Sequence, residues 1–327
     1  MGIKILGTGS FTPDKIVTNK DLEKIVDTND EWITTRTGIK QRHVAEDDVA
    51  CSDLALEAAK NALEMANISA EDIDLIVLSS ISGDQPFPST ACILQGKLGA
   101  TNAVAFDVMA ACAGYVYSFE VASSMLLGSQ NYKRALVIGA EKMTSIVDWK
   151  DRNTCVLFGD GAAAIIIEKT EGDETALISS KIDSNGSYSH ILGTPAGGSA
   201  MPASQETLDN REGFLRMEGQ EVYKQAVKSM VAACKDALEK ANLTTDDIKW
   251  FIPHQANYRI LKAVGTRLKF DMDKIYINVD KYGNTSAASI GIALDEIVRG
   301  NKIEKGDKIL LTAFGGGLTW GAMLLEW

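Results

Sequence analysis

Part of this chain occurs twice. Residues 58–73 and 233–248, 175 positions apart, share Ala58/Ala233, Lys60/Lys235, Ala62/Ala237, Leu63/Leu238, Glu64/Glu239, Ala66/Ala241, Asn67/Asn242, Asp72/Asp247 and Ile73/Ile248. In the first copy, 52–67 is rich in helix formers, with Ser52 or Asp53 as N-cap and Leu54, Ala58, Ala62 and Met65 at helical spacing. The apolar run DLIVLS at 74–79 follows, and a short continuous apolar run suits a strand buried on both faces. A second match, ALVIGA from Ala135 against ILLTAF from Ile309, holds at a shift of 174, each piece preceded by a helix pattern. One match alone could be two similar amphipathic helices. Two matches at nearly one offset predict an α/β protein built from two copies of one unit, packed as pseudo-symmetric halves.

The shift of 174 carries Cys112 onto Ser286, so AACAG and GNTSA are expected at equivalent helix starts that pseudo-symmetry brings face to face. A helix N-terminus offers free N–H groups and a partial positive charge, which lowers a thiol pKa and favours a developing oxyanion. Cys112 is flanked by Ala111, Ala113 and Gly114, leaving room for a thioester to approach, and it is the candidate nucleophile. An inert buried cysteine is the plain alternative. His254 follows the strand-like WFIP, at the end where α/β sheets place ligands, while His43 and His190 sit in polar surroundings and read as exposed. Asn284 stands just before a helix of small residues, where capping is the commoner duty.

Composition narrows the partners. The 327 residues carry 44 acidic and 33 basic side chains, a net charge of -11. That leaves no general basic field for nucleic acid or an anionic membrane, and an acidic partner needs a local basic patch. Cys51, Cys92, Cys112, Cys155 and Cys234 are an odd set without zinc-ligand spacing, which points to a reducing compartment and no metal. The start MGIKILGTG lacks a charged leader followed by a long apolar run, and Leu6 stands where a myristoylation signal wants Ser or Thr. With no stretch of 18 apolar residues either, a cytoplasmic location is expected. Gly7 and Gly9 follow the strand-like IKIL without the third glycine of a dinucleotide loop, so no such site is expected. Residues 184–214, rich in Gly, Ser and Pro, read as a long surface insertion.

The segments DEWITTRTGIKQRHVA, AACAGY, FGDGAAA, PHQANYRI, KYGNTSAASI and AFGGGLTWGAML, in this order along essentially the whole chain, resemble the 3-oxoacyl-[acyl-carrier-protein] synthase III family, the initiating condensing enzymes of type II fatty acid synthesis. The resemblance implies a thiolase-like fold layered α-β-α-β-α, with a nucleophile-bearing half over 1–174 and a second half over 175–327. It implies decarboxylating condensation of an acyl-CoA primer with malonyl-acyl-carrier protein, giving 3-oxoacyl-carrier protein, coenzyme A and CO2. The route is ping-pong exchange through an acyl-cysteine. No cofactor is implied, since the coenzyme A thioester is itself a substrate.

At the matching positions the triad is Cys112, His254 and Asn284. A thiolate suits acyl exchange because the acyl-enzyme stays reactive, and a His Nε2 with an Asn amide steadies an enolate oxygen without protonating the carbanion. The backbone N–H groups of Cys112 and Gly316 are implied as an oxyanion hole, in a glycine run that permits close approach. Trp32, Arg36 and Arg152 correspond to positions holding the nucleotide end of coenzyme A, and Gly219 and Asn257 to positions along the pantetheine channel. Met143 and Phe158 correspond to the acyl pocket, which Phe87 enters from the neighbouring subunit of a homodimer. Lys224, Arg259, Lys262 and Arg267 offer a basic patch for an acidic carrier protein. The alternatives are a related condensing enzyme of secondary metabolism and a non-catalytic acyl-binding partner subunit. Retention of Cys, His and Asn together counts against the latter.

Overall fold

The computed structural model describes residues 1–172 and 175–327. The first sheet contains β1 (Gly2–Phe11), β2 (Leu75–Ser79), β3 (Val104–Asp107), β4 (Arg134–Lys142) and β5 (Asp160–Thr170), in the spatial order β1-β5-β4-β2-β3. Its main helices are α1 (Asp30–Thr37), α2 (Cys51–Ala66), α3 (Thr90–Leu98) and α4 (Gly114–Gly128). The second sheet contains β6 (Leu177–Ser184), β7 (Trp250–Pro253), β8 (Lys308–Gly315) and β9 (Thr319–Glu326), in the order β6-β9-β8-β7. It goes with α5 (Gly219–Lys240), α6 (Tyr258–Leu268) and α7 (Ser289–Arg299). Apart from β3, which has no counterpart in the second sheet, the strands match: β2 runs parallel to β4 as β7 does to β8, and β5 is antiparallel to β4 as β9 is to β8.

Period-two alternation explains why these strands read as unbroken apolar runs. Leu75, Val77, Ala135 and Val137 face the same core as Ile309 and Leu311 of the other sheet, and α4 and α7 fill the space between. The alternate residues Ile76, Leu78, Leu136 and Ile138 pack under α2 and α3. Leu310 and Leu324 pack under α5 and α6. The layers are therefore α-β-α-β-α, as the resemblance implied.

The duplication holds to the level of backbone conformation. Asn67 and Asn242 both take a left-handed φ of 53° as their helices end, and Ala111 and Ser286 take φ values of 45° and 48° just before α4 and α7. Both pairs are 175 apart. The shift of 174 applies only to the strands that follow, where Ala135 pairs with Leu75 as Ile309 pairs with Trp250. Cys112 therefore corresponds to Ala287 and not to Ser286, because the residue lost from the second copy lies after the helix start.

Two local expectations change. The N-cap of α2 is Ala50, and Asp53 sits at the third helical position, its carboxylate accepting from the Ala50 N–H at 2.9 Å. Residues 184–214 are not only surface, since Leu192, Gly193 and Thr194 line the central cavity and Ile191 is buried in the second core. The boundary placed at Glu174 lies outside the described residues. Gly7 and Gly9 lie within β1 against α2. A Cβ on Gly9 would meet the Ala58 carbonyl and the Ala62 nitrogen, both backbone atoms that cannot rotate away. Gly9→Ala is accordingly expected to destabilise the fold by about 1–3 kcal/mol, the usual cost of overpacking, seen as a lower urea midpoint at unchanged slope.

Candidate active site

Where the strands of both sheets end, the segments following β2, β4, β7 and β8 enclose a cavity of about 1710 Å³. Cys112, His254 and Asn284 all line it. Cys112 lies in the single 3₁₀ turn Ala111–Ala113 that leads into α4, and this turn packs against its counterpart Ser286–Ala288 before α7. The two helix tips thus meet, as the repeat predicted. Gly315 is the glycine lying against the nucleophile: a Cβ there would be 2.6 Å from the Cys112 nitrogen. Gly316 lines the cavity next to it. Among the described residues, neither the Cys112 nor the Gly316 N–H donates to a backbone carbonyl, and the Cys112 N–H acts on its own sulfur.

Asn284 is held by its backbone on both sides of Phe158: its N–H donates to the Leu157 carbonyl at 2.8 Å, and its carbonyl accepts from the Gly159 N–H at 3.1 Å. Its side-chain Oδ1 accepts from the Ser286 N–H at 2.8 Å. Asn284 therefore caps neither the turn nor the helix that follow, but closes a local turn with its oxygen, which leaves the Nδ2 donor for the cavity.

His254 follows β7, with its N–H donating to the Thr312 carbonyl at 2.7 Å. Its Nδ1 lies 2.6 Å from the Ser289 hydroxyl, which also accepts from the Gln255 N–H at 3.3 Å. Nδ1 is the acceptor the Ser289 proton can reach, so Nδ1 accepts and Nε2 carries the ring hydrogen. Gln255 is buried, donating to the Pro253 and Tyr276 carbonyls and accepting from the Asn278 N–H at 2.9 Å, and it anchors the histidine loop.

Burial sets the electrostatics. It pulls the His254 pKa down to about 3, so the ring is neutral at physiological pH. It also pushes the Cys112 thiol up to about 12, outweighing the Ser286 hydroxyl that draws it down, while the Glu141 carboxylate adds to the rise. The expectation that the helix start makes a resting thiolate is therefore corrected: in so dry a place the desolvation cost exceeds what one short turn returns.

The other predicted residues divide by position. Trp32 and Arg36 line the cavity, and the guanidinium carbons of Arg36 and Arg152 stand 4.5 Å and 5.2 Å from the Trp32 ring centre. Arg152 itself is exposed and paired with Asp27. Gly219 opens α5 and Asn257 caps α6, both on the cavity wall. Met143 and Phe158 are buried in that wall. Phe87 does not line it and is 86% exposed. Lys224 and Arg259 reach the cavity, whereas Lys262 and Arg267 are exposed on α6 away from it. His190 is exposed as expected, but His43 is half-buried, its Nδ1 2.5 Å from the Pro13 carbonyl oxygen.

Sequence reasoning missed Ser289, Gln255 and Glu141. Glu141 did carry a signal, an acidic residue closing the apolar run ALVIGA. Among the described residues no helix is long and apolar enough to cross a membrane, and no group of His, Cys, Asp or Glu is arranged to hold a metal ion.

Comparison with known proteins gives a consistent result. Profiles described as 3-Oxoacyl-[acyl-carrier-protein (ACP)] synthase III and as its C terminal match residues 106–186 and 238–327. A beta-ketoacyl-[acyl-carrier-protein] synthase III of Caldanaerobacter subterraneus is 53% identical over 323 residues, 99% of this chain and 97% of that protein. The crystal structure of 3-oxoacyl-[acyl-carrier-protein] synthase III from Aquifex aeolicus superposes with a TM-score of 0.91 at 46% identity, covering 100% of both chains. The priming beta-ketosynthase from the R1128 polyketide biosynthetic pathway also superposes at 0.91, with 32% identity over 99% of this chain and 96% of that one.

The hydrogen-bond arrangement yields a spectroscopic expectation. The ¹⁵N spectrum of His254 should remain that of a neutral, Nε2-protonated ring as pH falls through 6.5, the ordinary histidine value, because protonation waits until about 3. Ser289→Ala should mix the two tautomers. An imidazolium signature near pH 6.5 would contradict the burial argument.

Proposed function

The chain belongs to the 3-oxoacyl-[acyl-carrier-protein] synthase III family, and on that premise we propose how the residues of its cavity divide the reaction. The reaction is the decarboxylating condensation that initiates fatty acid synthesis, joining an acyl-CoA primer to malonyl-acyl-carrier protein and releasing coenzyme A and CO2. In the first half-reaction Cys112 takes the acyl group as a thioester. The N–H groups of Cys112 and Gly316 steady the oxyanion that forms on the acyl carbonyl. In the second, the malonyl thioester oxygen lies between His254 Nε2–H and Asn284 Nδ2, which stabilise the enolate left by CO2 without supplying an acidic proton to its carbon. One observation carries this reading: a single buried cavity is lined by a thiol, a neutral imidazole and a carboxamide with its donor side free.

Substrate delivery follows the cavity outward. The Trp32 ring with Arg36 and Arg152 suits the adenine and phosphates of coenzyme A, and Gly219 and Asn257 border the pantetheine arm. Lys224 and Arg259 at the cavity, with Lys262 and Arg267 further along α6, form the surface on which the carrier protein docks despite the enzyme's net acidity. Met143 and Phe158 bound the acyl chain.

The working form is a homodimer. β3 is an unpaired sheet edge, and near it Val104, Met109 and Phe87 are 45%, 82% and 86% exposed, an apolar surface that a second copy covers. Phe87 then enters the partner's acyl pocket. The thioesters supply both electrophile and latent carbanion, so no cofactor is required, and the cytoplasm is where such substrates are made.

Mass spectrometry of each half-reaction tests the assignment. After incubation with acetyl-CoA, the wild type should carry one acetyl group on Cys112 and Cys112→Ser none. His254→Ala and Asn284→Ala should still acylate but lose malonyl decarboxylation by about 10²–10³-fold, the usual cost of one oxyanion donor. Release of free acetate, or equal loss at the acylation step in both variants, would overturn the division.

A further inference from the structure

Glu141, at the end of β4, is fully buried, and its hydrogen-bond partners among the described residues are hydroxyl and amide groups. Its Oε2 accepts from the Ser80 hydroxyl at 3.0 Å, from the Ile81 and Ser82 N–H groups at 3.1 Å each and from the Ser82 hydroxyl. Its Oε1 accepts from the Ser286 hydroxyl at 2.8 Å. Ser286 opens the turn that packs against the turn of Cys112, and its hydroxyl is the polar side chain that draws the Cys112 thiol down against the effect of burial. Because the Ser286 proton points to Glu141, the serine oxygen is left to accept the thiol proton. Ser286 thus stands between the turn of Cys112 and a carboxylate for which the reaction described above has no use.

The reading of Cys112 as the acylated residue is the premise here. We propose that Glu141, acting through the Ser286 hydroxyl, accepts the proton of the Cys112 thiol during acylation and returns it when condensation frees the sulfur. In the first half-reaction the S–H bond breaks, Ser286 takes that proton and passes its own to Oε1, and the sulfur lone pair forms the bond to the acyl carbon. The coenzyme leaves as a thiolate and takes a proton from water as it departs. In the second, attack of the carbanion breaks the S–C bond, and the thiolate takes its proton back along the same path. Over a full turnover one proton enters from solvent and Glu141 ends as it began.

The surroundings fit a group that changes charge in place. Burial favours the neutral acid and raises the pKa of Glu141, while the five donors act in the opposite direction and favour the carboxylate. A proton arriving at Oε1 leaves all four donors on Oε2 undisturbed. The other titratable groups facing Glu141 do not compete. Cys51, on α2, donates to the Ala140 carbonyl at 3.2 Å and is held protonated by burial. His254 already carries its hydrogen on Nε2 and is too weak a base.

The test is stopped-flow acylation of the full-length enzyme by acetyl-CoA across pH, read by intact mass. Glu141→Gln and Ser286→Ala should acylate about 10²-fold more slowly near neutrality, the lower range for a positioned acid–base group. Their rates should climb tenfold per pH unit, since solvent must then remove the proton, and Ser286→Thr should restore most of the wild-type rate and profile. In the infrared difference spectrum, acylation should raise a protonated-carboxyl band that is missing in Glu141→Gln. If Glu141→Gln does not fold, the Ser286 pair and the wild-type band decide. Ser286→Ala acylating at the wild-type rate and pH dependence, or no carboxyl band on acylation, would overturn the relay while leaving acyl-Cys112 intact. Absence of any adduct on wild-type Cys112 would instead remove the premise.

Discussion

The contact between the turns Ala111–Ala113 and Ser286–Ala288 is the constraint on which the remaining site geometry depends. Each turn holds a non-glycine residue at positive φ, a conformation costing of the order of 1–3 kcal/mol that persists only where surrounding packing determines it. Here the packing comes from both halves at once. Ala287 fits against the positions of Gly114 and Gly139, where a further side-chain atom would meet it. Because the tips approach so closely, a sulfur on one half lies beside a hydroxyl on the other, and Asn284 reaches the same cavity two residues upstream. Neither half contains the site alone.

Exclusion of water then decides the chemistry. In a dry interior an unpaired charge is costly and a hydrogen bond is correspondingly directive. Cys112 and His254 are therefore both neutral at rest, one held above the usual thiol range and the other below the usual imidazole range. For the histidine this is the state that the proposed role requires: an imidazolium beside a forming carbanion would protonate it, whereas a neutral Nε2–H can only donate to the enolate oxygen. For the cysteine it means the proton must leave as the acyl group arrives, so the helix tip alone does not account for nucleophilicity.

Much of this was legible in the sequence because it followed from repetition and spacing. The match of 58–73 with 233–248 announced two α/β units, and the apolar runs at 74–79 and from Ala135 announced buried strands. The Cys, PHQAN and GNTSAAS segments named three residues that line one cavity. What escaped was relational. Ser289 is one small residue among several at the start of α7, and only its 2.6 Å distance to a ring nitrogen gives it meaning. The thiol's state depends on burial by segments far apart in the chain, including the 184–214 insertion that had looked like mere surface. The register at Cys112 is hidden for a similar reason: the second copy loses a residue between the helix start and the following strand, and nothing in the sequence marks the place.

The corrected register makes the asymmetry of the two halves intelligible. With helix starts 175 apart and the following strands 174 apart, Ser286 corresponds to Ala111 and Glu141 to Gly315. At one crossing of the pseudo-symmetric halves, the end of β4 meets the second turn as Glu141 bonded to Ser286. At the equivalent crossing, the end of β8 meets the first turn as Gly315 against Ala111 and the Cys112 nitrogen. The same place in the duplicated framework thus holds a buried acid with its hydroxyl on one side. On the other it holds only backbone and a methyl group, where an acyl oxygen can approach free N–H groups. Filling the second crossing with a side chain would press on the Cys112 nitrogen, and emptying the first would leave the Ser286 hydroxyl without its carboxylate. Divergence of the two copies at this one pair of crossings is enough to turn a symmetric scaffold into a site with a proton-accepting side and a substrate side.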